Sequence, residues 1–247
     1  MSPSWKVHKE VCEKLLDFYN QEIDEIIDFR HSHDSSRYDV KELADVVSEV
    51  RTKYGTQGLK QLILHHYLDR LSDIIIREFV VYFSFYVSGY YTLEKSVLEF
   101  IKAVSEMIDK DPANILNLLI HPYDYLRYVT GILYSGKRKR KKKKEIEQRL
   151  TEAYDNLLQY PELKSLSSSV YEIINLIKNN IKFILFSIFY NDERIGNRIA
   201  NSLIMKTLGE TWRNQSCQNN RAKNYFNKKA LKKFYEYLFD YLLKNFY

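Results

Sequence analysis

Hydrophobic positions recur along this chain with a helical period wherever they are dense. From Trp5 to Arg30 a stripe of Val7, Val11, Leu15, Phe18 and Ile26 lies opposite Glu10, Lys14, Asp17 and Asp24, which predicts one long amphipathic helix. Asp39 with Glu42 three residues later reads as a capping box for a helix from Val40 to Tyr54, where "YGTQG" ends it. The pattern resuming at Leu59 is apolar on nearly all sides and belongs at the centre of the fold. A bend is expected in it near Arg77–Glu78, and a break at Gly89. Thr92 is placed to cap a helix over 92–109, and Asp111 before Pro112 opens another, interrupted at Pro122.

Beyond residue 144, "EIEQRLTEAYDNLLQY" is helical again. "PELKSLSSS" reads as a loop, dividing a domain over 1–160 from a helical extension over 161–247. Helical stretches are expected over 170–190 and 192–210, then a polar linker and an amphipathic helix over 228–247. No strand pattern and no internal repeat is present, so the fold expected is all-α, a multi-helix orthogonal bundle.

Composition supports this. Only 7 glycines and 4 prolines punctuate 247 residues, too few for many short strands and tight turns. A formal net charge of +6 points to an anionic partner, nucleic acid or a membrane surface. Cys12 and Cys217 lie far apart without zinc or redox spacing, which suits a reducing compartment. The acidic first thirty residues do not look like a signal peptide, and the apolar runs 79–91 and 181–190 are shorter than the ~20 residues that span a bilayer. A cytoplasmic protein without a membrane span is the expectation.

The candidate chemistry lies in the histidines. Five of six fall in the first seventy residues: His8, His31, His33, His65 and His66. His33 is followed by Asp34, two serines and Arg37. Imidazole and carboxylate together suit Mn, Fe, Ni or Zn, and hard oxygen ligands add Mg. Taken singly, His8 on an apolar face reads as a core residue, and "HSHDSS" as a polar turn that caps the next helix.

Taken together, His8, then "HDSSR" with Ser36 and Arg37, then the pair His65–His66, resemble the HD superfamily of metal-dependent phosphohydrolases. The doubled histidine is similar to that of the small stand-alone HD nucleases of CRISPR systems. The resemblance covers roughly residues 5–75. It implies an HD-like helical fold and one or two divalent metals (Mn, Ni, Mg or Fe) held by His8, His33, Asp34, His65 and His66, with a closing carboxylate. Asp69 and Asp73 follow the histidine pair closely, whereas Asp124 in "HPYDY" has the more family-like distance and is assigned that role. The resemblance implies catalytic roles for Asp34, which could bridge two metals, and for Arg37, whose guanidinium can fork onto a phosphate. Phosphodiester hydrolysis needs a nucleophile at neutral pH and neutralisation of charge on the phosphate oxygens, and a divalent cation supplies both.

Lys137, Arg138, Lys139, Arg140, Lys141, Lys142, Lys143 and Lys144 form an unbroken run of positive charge. It is either a solvated loop or a contact for polyanions. Near the C-terminus Lys228, Lys229, Lys232 and Lys233 adjoin Phe234, Tyr235, Tyr237 and Phe239, an arrangement that can stack bases but at helical spacing is more often core or a face for a protein partner. The expected function is an HD-type nuclease acting on single-stranded DNA or RNA. The alternative is a non-catalytic basic helical protein that binds nucleic acid or serves as a scaffold.

Overall fold

The computed structural model describes residues 4–30, 40–109, 148, 160–192, 194–203 and 228–244. Every element among them is helical and none is a strand, as expected. Helix α1 is Trp5–Leu16 and α2 is Gln21–Glu25, which continues as a π-turn over Ile26–Arg30. The long α3 is Val40–Val87, α4 is Leu93–Asp109, α5 is Pro161–Asn179 and α6 is Ile181–Asn191. Residues 194–203 are helical (α7), and α8 is Lys228–Lys244. No single described helix is long and apolar enough to cross a membrane.

The single helix expected over Trp5–Arg30 is in fact broken. Asp17 ends α1 in the left-handed region (φ 50°, ψ 33°), a conformation short polar side chains tolerate because they bond locally. Asn20 then starts α2, its side-chain oxygen accepting from the Glu22 N–H at 2.9 Å. The break resets the helical phase, so Asp24, placed on the outer face by the sequence pattern, is fully buried.

Helix α3 begins at Val40 and has one non-helical residue, Gly55 (φ 63°, ψ −151°), which marks the stop expected there. Such a backbone is open in practice only to glycine. Just beyond it, a Cβ on Gly58 would lie 2.5 Å from Tyr54 Cβ and 3.1 Å from Val50 Cγ1, so glycine also permits the close approach across the kink. The backbone keeps helical φ/ψ through Arg77 and Glu78. Gly89 (φ 74°) ends the descent from α3, and the Thr92 hydroxyl accepts from the Lys95 N–H at 3.2 Å to cap α4. "PELKSLSSS", expected as a loop, is instead the start of α5, with Pro161 in the first turn where its missing N–H costs nothing.

The chain forms two compact units, one of residues 1–71 with 106–180 and one of 72–105 with 181–247. In the first, Leu59, Leu62, Ile63 and Leu68 of α3 are buried, as are Val7, Val11, Ile23 and Ile27. Lys60 of α3 pairs with Glu172 of α5. The second is built around Phe79. Its ring stands against Phe83, Phe100, Phe189, Phe234 and Tyr235 at centroid separations of 4.8–6.1 Å. Each such pair contributes about 0.5–1.5 kcal/mol beyond area burial. Helix α8 buries Ala230, Phe234, Leu238 and Leu242, so those apolar positions serve the core of their own unit.

Candidate metal centre

The site lies wholly within the first unit. His8 is on α1 one turn before Cys12, and both are fully buried on its inner face. His65 and Asp69 are one turn apart on α3, the spacing that sets two side chains on one helix face. These three side chains each bring a donor atom within 4.8 Å of the others. His8 Nε2 is 3.2 Å from Asp69 Oδ1, and His65 Nε2 is 3.7 Å from Asp69 Oδ2. The two imidazoles stack with centroids 4.2 Å apart and planes within 12°.

Around His65 the polar contacts continue. Its Nδ1 is 2.9 Å from Asp24 Oδ1, and its Nε2 is 3.3 Å from Asp28 Oδ1. Trp5 donates its indole N–H to Asp28 Oδ2 at 2.6 Å, which turns the other oxygen toward the imidazole. Asp24 accepts also from the Tyr19 hydroxyl at 3.0 Å and from Gln61 Nε2 at 3.3 Å.

Three carboxylates therefore surround one buried imidazole. Burial alone would lower the His65 pKa. Asp69, and after it the bonds to Asp24 and Asp28, outweigh this and hold it well above its ordinary value. Burial, followed by the charge of Asp24, pushes the Tyr19 pKa up, so its hydroxyl remains a donor to that carboxylate. Uncompensated, buried carboxylates are expensive, and a bound cation or an imidazolium offsets them.

The three donor atoms lie close enough together to hold a cation. Metal–ligand distances of about 2.0–2.2 Å in tetrahedral geometry place ligand atoms about 3.4 Å apart, comparable to the spacings here. Neither ring nitrogen of His8 has a hydrogen-bond partner among the described residues, although Nε2 faces a carboxylate.

Of the residues singled out in the sequence, His8 and His65 meet in this group. His66 is buried beside it, edge-on to His65 at 5.7 Å, and is not one of the three clustered donors. His33, Asp34, Arg37, Asp124 and the run Lys137–Lys144 lie outside the described residues. The carboxylate the described residues bring to the group is Asp69, whereas the sequence pattern favours Asp124. Asp24 and Asp28 carry no mark in that pattern. The signal for Asp69 is its four-residue offset from His65, but nothing in a continuous helix over Trp5–Arg30 points Asp24 inward. No protein-family model, curated protein or solved structure matches this chain.

Proposed function

We propose that this chain is a metal-dependent phosphodiester hydrolase of the HD type that acts on nucleic acid. One observation carries the reading: His8 and His65, remote in sequence, bring imidazole nitrogens together with the Asp69 carboxylate in a buried group able to hold a cation. The "HDSSR" motif of residues 33–37 adds the residue types such a site requires, and the basic run adds affinity for a polyanion.

His8, His65 and Asp69 would hold the ion, and two nitrogens with one carboxylate favour Mn, Fe, Ni or Zn over Mg. When bound, a divalent cation neutralises charge on the phosphate oxygens and makes a nucleophile available from water at neutral pH. The protein's own part is to keep His65 Nε2 and the Asp69 carboxylate aimed at one point and to exclude bulk water from it. Arg37 supplies a forked donor for a phosphate, and Lys137–Lys144 draw in the strand.

A second reading has its own support. The raised pKa of His65 lets a proton hold the carboxylates together without any metal, which suits a non-catalytic basic helical protein that binds nucleic acid. Elemental analysis of the purified protein, then cleavage of single-stranded DNA and RNA with Mn(II) or Ni(II), with and without EDTA, separates the two. The hydrolase reading expects bound metal and EDTA-sensitive cleavage that falls to background in Asp69→Asn and in Asp34→Ala. Metal-free protein with salt-sensitive nucleic-acid binding and no cleavage would leave the second reading standing.

A further inference from the structure

We infer that Asp24 is a positioning residue for this centre, fixing which nitrogen of His65 can face a cation. The inference rests on the metal-binding reading of His8, His65 and Asp69. A carboxylate can only accept, so the 2.9 Å contact to Asp24 Oδ1 makes His65 Nδ1 the protonated nitrogen. Nε2 faces Asp28 Oδ1 at 3.3 Å and Asp69 Oδ2 at 3.7 Å in the ring plane, and it is the nitrogen whose lone pair would be offered to a cation once the second ring proton is released. A carboxylate behind a ligating histidine both sets its tautomer and raises its basicity.

The surroundings of Asp24 are built to hold it still. Its side chain is fully buried, with Tyr19 on one oxygen and Gln61 with His65 on the other. Gln61 is itself fixed by a pair of bonds to the Asn20 backbone. It accepts from the Asn20 N–H at 2.9 Å and donates to the Asn20 carbonyl at 2.8 Å. Asn20 caps α2, so the start of α2 is fastened to α3 and Asp24, four residues on, is carried to His65 in one register. Tyr19 lies in the break between α1 and α2, so that break forms part of the support. A buried carboxylate needs donors, and here two come from one face of α3 and one from the break before α2, so the same contacts that satisfy Asp24 also fix it against His65.

The test uses the full chain stripped of metal, Zn(II) as the probe, titration calorimetry for affinity, and nitrogen-15 NMR of labelled histidine for the tautomer. Zn(II) should bind wild type, and Asp69→Asn should lose binding. Asp24→Asn should weaken it about 10–100-fold, the usual loss for an outer-shell partner, and Tyr19→Phe by less. In Zn-loaded wild type, His65 should carry its hydrogen on Nδ1. Folded Asp24→Asn that binds like wild type overturns the inference while the metal reading survives. A loaded His65 protonated on Nε2 does the same, and decides the matter should Asp24→Asn fail to fold. Absence of Zn(II) binding by wild type, or full binding by Asp69→Asn, overturns the metal reading and this inference with it.

Discussion

Cys12 shows how completely the inner face of the first helix is buried. Burial first, then the charges of Asp24 and Glu13, push its thiol well above the ordinary value of 9.0. The thiol should therefore resist alkylation in native protein at pH 8 and react on unfolding, as mass spectrometry with iodoacetamide would show. The sign of its effect on stability follows. Above pH 9 the unfolded thiol ionises while the native one keeps its proton, so stability from this residue is constant below that pH and falls above it. Wild type should lose about 1 kcal/mol more than Cys12→Ala between pH 8 and 10 in urea unfolding, and equal losses would contradict the shift. Side-chain directions are readable from sequence where a single helix fixes them. His8 and Cys12 share a face in any helical reading, and His65 and Asp69 do likewise. Asp24 is not readable in this way, because its direction depends on the left-handed residue at Asp17, a position where local sequence offers no glycine to announce the turn.

At the scale of elements, stops are easier to find than starts. Gly55 and Gly89 both take positive φ and both end helical stretches where expected. Gly55→Ala should lower unfolding free energy by about 1–3 kcal/mol, the cost of forcing a Cβ into that backbone region. Gly196, helical and with open space where a methyl group would stand, is the control. Gly196→Ala should be neutral or stabilise by up to about 1 kcal/mol. Chemical denaturation of the two variants checks both, and equal effects would remove the special role given to Gly55. The misread start is α5. Its serines suggest a loop, yet Pro161 opens the helix and Leu166, Ser169 and Val170 are buried along it. Burial of that face decides the outcome, since serine's preference for turns is worth only tenths of a kcal/mol in a helix.

For the whole molecule, the all-helical class follows from the absence of alternating patterns and from scarce glycine and proline, and every described element agrees. Net charge acts at this scale too. If the strand-guiding role holds, replacing Lys137–Lys144 with serine should flatten the dependence of single-strand affinity on salt. The slope of log K against log salt should drop by up to about 6, because eight charges are removed and each phosphate neutralised contributes roughly 0.7. An unchanged slope across a salt titration would place the contact elsewhere. The stacked imidazoles carry one more consequence. If the proposed cation binds, its grip by His8 from α1 and by His65 and Asp69 from α3 would be a crosslink, tying off a loop of roughly sixty residues. Docking of the first helix and capture of the ion are then a single equilibrium, so starvation for that ion would be felt as a loosening of the chain's leading segment before any chemistry was asked of it.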